Sequence, residues 1–281
     1  MAGTSRPLDN FPLVRSRHVD EVREALARVY ARPTLTIANG YKTIDAVMND
    51  CRLQHVALAF GSYGTAVEVQ YPATERFMMV LPSCGGAELV TRKTRVTLAP
   101  GGSATVSPDT GFNGRYGADY EFMMLKIDAQ ALTRKLLTLT GATINEPLRM
   151  HPRIVASRSE TRILHEYLPM LAGTLSTADA PMPAWWIAQT EQLLMVMFLC
   201  SHQHNYSHLL EQQPRGSAPF QVRRVEEFIE ANPECPVTLE DLAEVSGVSA
   251  FSLFRAFKRA RGYSPFEFAA RLRARRDKAR R

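Results

Sequence analysis

Between residue 34 and about residue 127, apolar and polar positions alternate in short runs. The runs are HVALAFGSYG at 55–64, TAVEVQY at 65–71, RFMMVLP at 76–82, TRVTLAPGGSATVSP at 94–108 and YEFMMLKI at 120–127. Turn pairs such as Gly85-Gly86 and Gly101-Gly102 punctuate them. A side-chain period of two, in runs this short and broken this often, predicts antiparallel strands packed as a sandwich or barrel. One amphipathic helix, DEVREALARVY at 20–30, precedes them.

From about 129 to 212 the period turns helical. AQALTRKLLTLTG ends at Gly141, a glycine suited to a helix C-cap. SETRILHEYLPMLAGTL places Ile163, Leu164, Tyr167, Leu168 and Leu171 on a helical stripe. The stretch PAWWIAQTEQLLMVMFLCSHQHNYSHLLE, 183–211, is apolar nearly all round in its middle. Such a helix is buried in its own domain or against a partner chain, and Trp185, Trp186 and the run from Leu193 to Leu199 are its candidate contact surface. If the helix continues, Cys200, His204 and His208 share one face at the spacing of a soft-metal site. His202 points elsewhere, and the sequence supplies neither a companion acid nor an orienting partner for the imidazoles. The stretch therefore reads as a helix end docked on the preceding domain, directly before the polar linker EQQPRGSAP at 211–219.

Past the linker, PFQVRRVEEFIEAN puts Val222, Val225 and Ile229 on one face with Pro219 near N1. Thr238 and Asp241 are spaced as a near capping box, Gly247 suits a left-handed turn, and Ser249 can cap the next helix. Small Ala243, turn Gly247 and aliphatic Leu253 have the spacing of a helix-turn-helix. The second helix of this pair turns Ala250, Leu253, Phe257 and Ala260 toward the core. A neighbouring stripe carries Phe251, Phe254, Arg255 and Lys258. Apolar rings beside Arg suit a recognition helix, because rings can meet thymine methyls and Arg can read guanine. Ser249, Arg259, Arg261 and Ser264 lie where phosphates would pass, Ser264 opening a further capped helix with Pro265 and Glu267.

Charge agrees with that placement. The chain carries +6 overall, but from Ser249 onward 11 Lys or Arg stand against Glu267 and Asp277, a balance of +9. The other 248 residues carry 23 basic and 26 acidic groups, a balance of −3. Such asymmetry points to a polyanionic partner at one end. Cysteines 51, 84, 200 and 235 show no disulfide framework, the start MAGTSRPLDNF lacks the apolar core of a signal peptide, and no apolar run approaches the roughly 20 residues of a membrane span. A cytoplasmic protein with no membrane association is expected.

VTLEDLAEVSGVSAFSLFRAFKRARGYSPFEFAARLR resembles the first half of the DNA-binding domain of AraC/XylS-type bacterial transcription regulators. The anchors are Leu-Ala-x-x-x-Gly-Val-Ser, Leu-x-Arg-x-Phe and Gly-x-Ser-Pro. Upstream, HNYSHLLE is similar to the segment before the linker in one large subgroup. APGGSATVSP followed by LKIDAQALTRKLLTLTG is similar to that subgroup's cupin-type effector domain. The resemblance implies an α+β chain in three parts. These are a cupin-like antiparallel β barrel or sandwich over 1–155 that binds a small organic effector, a helical dimerisation or connector segment over 156–212, and an all-α helix-turn-helix domain over 218–281. It implies that Phe251, Phe254 and Arg255 enter the major groove of double-stranded DNA, with a homodimer and RNA polymerase as further partners and an activator's role. The family's second helix-turn-helix unit is expected to be absent, since the chain stops at Arg281 within the connecting helix.

Two other readings compete with the regulator. Metal-dependent cupin enzymes need a His-x-His pair on a strand with a nearby Glu and a later His, and the strands here offer only His55. No catalytic residue, metal or cofactor is expected. A chain with one helix-turn-helix unit could alternatively act as an interaction protein that forms mixed dimers with full-length relatives. For the effector, Phe77, Met79, Tyr120 and Phe122 are the candidate lining.

Overall fold

The computed structural model describes residues 6–38, 43–141, 144–154, 159–178, 182–211, 220–233 and 237–279. The linker expected at 211–219 falls, from 212 on, outside the described residues, as do Pro219 and Cys235. The chain divides into two compact units, Met1–Leu139 with Thr143–Ser207, and Thr140–Ala142 with His208–Arg281.

The first unit is a two-sheet antiparallel sandwich with helices packed against it. One sheet takes β1 (Pro12–Ser16), β3 (Ala46–Arg52), β4 (Val56–Ser62), β11 (Glu121–Asp128), β6 (Arg76–Cys84), β9 (Ser103–Val106) and β12 (Arg153–Ile154), in that order. The other takes β2 (Thr34–Ile37), β5 (Val67–Tyr71), β10 (Phe112–Tyr116), β7 (Ala87–Val90) and β8 (Arg95–Leu98). Together with the helical second unit this is the expected α+β architecture, with a cupin-like sandwich first. In β5 the alternation is plain: Val67, Val69 and Tyr71 are buried while Gln70 faces solvent. The central strands β4, β6 and β11 are buried on both faces, as strands covered by helices must be. Helix α1 (Val19–Val29) packs Val22, Ala25 and Leu26 inward.

Inside the sandwich, aromatic rings fill the space. Tyr63 stacks on Tyr116 at 5.4 Å, Tyr116 on Tyr120 at 5.2 Å and Tyr71 on Phe112 at 4.6 Å. Two glycines make room for this. A Cβ on Gly61 would lie 2.5 Å from the Phe122 ring, and one on Gly114 would lie 2.2 Å from the Tyr116 hydroxyl. Gly61→Ala must displace the Phe122 ring from its stack, and overpacking of this kind costs about 1–3 kcal/mol. Thermal unfolding of the variant should show a lowered midpoint for the sandwich transition, and an unchanged midpoint would contradict the fit described.

Three further helices belong to this unit. α2 (Ala129–Thr140) ends on Gly141 at φ +64, the expected left-handed cap. α3 (Ser159–Thr177) and α4 (Ala184–Ser201) pack on each other. On α4, Glu191, Leu194, Met195, Phe198 and Leu199 are buried, whereas Trp185 and Leu193 are exposed at 69% and 45%. Most of the run from Leu193 to Leu199 is thus core of the unit itself. Glu191 is buried too, and its carboxylate accepts the backbone N–H groups of His55 and Val56 at 2.5 and 2.8 Å, tying α4 to the start of β4.

The helix of 183–211 does not continue as expected. α4 stops at Ser201 and His202 takes an extended backbone. The strand-like segment after it pairs with 146–151. His204 forms a bridge with Met150, and the His151 N–H donates to the Gln203 carbonyl at 2.8 Å. Cys200, His204 and His208 therefore do not share a helical face. Only then does α5 (Ser207–Glu211) begin.

The second unit packs α6 (Phe220–Ala231), α7 (Leu239–Ser246), α8 (Ala250–Arg261) and α9 (Pro265–Ala279) around Val222, Val225, Ile229, Leu242, Leu253, Phe257 and Ala269. Thr238 and Asp241 complete a reciprocal capping box, at 2.9 and 3.1 Å. Gly247 sits at φ +69 with open space around it, so its role is conformational rather than steric.

Candidate nucleic-acid interface and effector site

Ser249 sets the phase of α8. Its hydroxyl accepts the Ser252 N–H, and the helix that follows turns Leu253 and Phe257 fully inward. The period of 3.6 then places Phe251, Arg255, Lys258 and Arg259 outward, and all four are exposed. Phe251 is 72% exposed, and the Arg255 guanidinium lies 5.9 Å from its ring centroid. Ring and cation thus form one amphipathic patch. Phe254 is half-buried and meets the Phe266 ring at 5.6 Å, so α9 braces it.

Two residues expected at phosphates are occupied within the unit. Arg261 places its fork on Glu226 at 2.7 and 2.8 Å, with only 13% of its side chain exposed. This bidentate bond ties the end of α8 to α6, and it corrects the expectation of a phosphate-contacting Arg261. Ser264 donates its N–H to Glu267 at 2.7 Å and accepts the Glu267 N–H on its hydroxyl at 3.2 Å. Both groups serve the cap of α9. Glu226 was not legible as a partner, because no spacing rule links residues 35 apart in the chain.

The four residues expected to line an effector site do not come together. Tyr120 and Phe122 belong to the aromatic filling between the sheets. Phe77 and Met79 stand on the other face of β6 from Met78 and Val80, outside that filling, and Phe77 meets Phe198 of α4 at 6.2 Å. Among the described residues, the sandwich interior is packed with aromatic rings. A void beside Tyr30, Tyr71 and Phe122 amounts to ≈ 10 Å³, barely the space of one water. Burial raises the pKa of Tyr30, Tyr63 and Tyr116 well above the ordinary tyrosine value, so the phenols there stay neutral. Tyr63 and Tyr71 share a hydrogen bond of 3.0 Å, while the Tyr120 hydroxyl has no partner.

Among the described residues, no group of three His, Cys, Asp or Glu side chains is placed to hold a metal ion, and no helix is long and apolar enough to cross a membrane.

Comparison with known proteins adds a lineage. A family model described as AraC-binding-like domain matches residues 22–200. The chain is 27% identical over 147 residues to the probable thc operon regulatory protein of Rhodococcus erythropolis, a match covering 51% of this chain and 43% of that one. The matched part thus spans less than half the length of that relative. The crystal structure of the AraC-like transcriptional activator CuxR superposes over 94% of both chains with a TM-score of 0.50 at 14% identity, a likeness of fold. Because the family model takes in well over half of the 281 residues, the chain belongs to the AraC-binding-like domain family.

Proposed function

We propose that the chain is a ligand-responsive, sequence-specific DNA-binding transcription regulator, an activator, that reads the major groove with α8. One observation carries the reading: an exposed Phe251 with Arg255 beside it, on a helix whose opposite face is sealed into a helix-turn-helix core. The ring, 72% exposed, and the guanidinium beside it together offer an apolar and a cationic group of the kind that can meet thymine methyls and guanine. On DNA, Phe251, Phe254, Arg255 and Lys258 would meet base edges, and Arg259 and Ser249 the flanking phosphates. The regulatory name of the R. erythropolis relative supports the same reading. Fluorescence anisotropy with fragments from upstream of the gene tests it. Arg255→Ala should weaken the best site by about 1–3 kcal/mol and relax base preference there. Arg259→Ala should weaken all sequences alike and lower the salt slope by about one. Equal affinity of the unaltered chain for every fragment would sink the proposal.

The activator would work as a homodimer engaging RNA polymerase. Exposed Trp185 and Leu193 on α4, with Ile163 and Met170 on α3 at 54% and 59%, are apolar surface that a second copy would cover. Leu194, at 0% exposure, is core and unsuited to test this. Leu193→Glu should instead halve the mass seen by light scattering with the fold intact. An unchanged mass would remove this face from the interface.

A further inference from the structure

Beside the aromatic filling of the sandwich the first unit carries a much larger space than the void near Tyr30. At one end of the unit lies a cleft of ≈ 1130 Å³, large enough for a small organic molecule. Its apolar floor includes the stacked pair Tyr71 and Phe112. Over that floor stand Arg92 and Lys93 from the turn between β7 and β8, and Arg149 from the segment after α2. All three are exposed and form no ion pair among the described residues, and the one acid on the lining is Asp109. The imbalance favours an anion.

Thr105 also lines this cleft. It is 3% exposed, and its hydroxyl has no hydrogen-bond partner. Its oxygen is sealed from the open cleft, so the chemistry of the site rests on the three cations and the apolar floor.

The cleft wall is also wired along the chain. The Arg149 carbonyl accepts the Asn205 N–H at 3.2 Å, and the Asn205 side chain accepts the Arg149 N–H at 3.0 Å. The Asn205 amide donates to the Pro147 carbonyl at 3.0 Å, and the Tyr206 hydroxyl donates to that of Glu146 at 2.9 Å. Residues 203–206 lie just before Ser207, where the first unit ends and the chain enters its second unit at His208. A ligand that grips Arg149 therefore bears on the segment from which the helix-turn-helix departs.

We propose that this cleft is the effector site, that it takes a small organic anion with an apolar body, and that the paired segments 146–151 and 203–206 carry its occupancy toward the second unit. The proposal rests on the regulator reading for its purpose, but not for its chemistry. Calorimetric titration of the full chain with naphthalene-1-carboxylate and with the neutral naphthalene-1-carboxamide tests it. The acid should bind saturably and at least about tenfold tighter than the amide. Arg149→Ala should markedly lower that preference, leaving what Arg92 and Lys93 supply, and Tyr120→Phe inside the sandwich should change the binding of neither ligand. In hydrogen exchange, the acid should slow the amides of His151 and Asn205. No saturable binding, equal binding of acid and amide, or sensitivity to Tyr120→Phe in place of Arg149→Ala would overturn it. DNA affinity of the ligand-free chain is read separately. If DNA binds and the acid does not, the cleft proposal falls and the regulator stands; if the acid binds and DNA does not, the regulator falls.

Discussion

Phe257→Ala is expected to unfold the C-terminal helical unit while the sandwich stays folded. Phe257 is fully buried among Val222, Val225, Ile229, Leu242 and Leu253, and its ring meets Tyr263 and Phe268 at 6.2 and 6.3 Å. Truncating a buried Phe costs about 3–5 kcal/mol, comparable with the whole stability of a domain this small. The contacts inside the sandwich do not involve it, so heating should show one transition kept and one lost. Limited proteolysis should cut after residue 208 and spare the rest. DNA affinity should vanish with the lost unit. The control lies on the same helix. Phe251→Ala removes a ring that is 72% exposed, so both transitions should stay within about 0.5 kcal/mol of the original while DNA affinity falls. If Phe257→Ala leaves both transitions in place, the core assigned here is wrong. If Phe251→Ala unfolds the unit, the ring is structural and the interface must be redrawn.

That contrast shows what the sequence made legible. The helix-turn-helix was readable because each of its devices is local: the Thr238–Asp241 box, left-handed Gly247 and capping Ser249 each act within a few residues. Strands such as β5 were readable from alternation, and the central β4, β6 and β11 from short apolar runs bounded by turn residues. What escaped depends on distance. β1 is five residues held by pairing with β3, remote in the chain, and by packing against α1. The end of α4 at Ser201 was missed because nothing in the run to Glu211 breaks a helix, whereas pairing of His204 with Met150 does. The effector residues were chosen for type. Phe77 does line the cleft proposed for the effector while Met79, Tyr120 and Phe122 do not, because type does not say where a side chain goes when the strand is buried on both faces. Arg261 was read as a phosphate ligand because Glu226, its partner, is remote in the chain.

His202 lies where α4 breaks, and it makes the first unit acid-sensitive. It is 2% exposed, its Nδ1 sits 2.8 Å from the Phe198 carbonyl, and its ring stacks on Phe198 at 4.3 Å. Its Nε2 is buried without a hydrogen-bond partner, so a proton there would have nothing to meet. Burial lowers the pKa to about 3, helped slightly by His165 and His204 nearby. In the unfolded chain the same imidazole titrates near its ordinary 6.5. Between these values the unfolded state binds the extra proton, so stability is fully present above pH 6.5 and is lost as pH falls toward 3. The slope is about 1.4 kcal/mol per pH unit, or roughly 3 kcal/mol over the first two units. Carboxylates add slopes of their own, so the comparison that isolates this one is His202→Gln. That variant should be less stable at pH 7.5, since a flexible amide replaces a stacked ring. Between pH 6.5 and 4.5, however, its denaturation midpoint should fall less steeply than that of the unaltered chain, and the two curves should converge as acid strips the imidazole of its advantage. Parallel curves would mean that His202 protonates without penalty and that the junction is open to water.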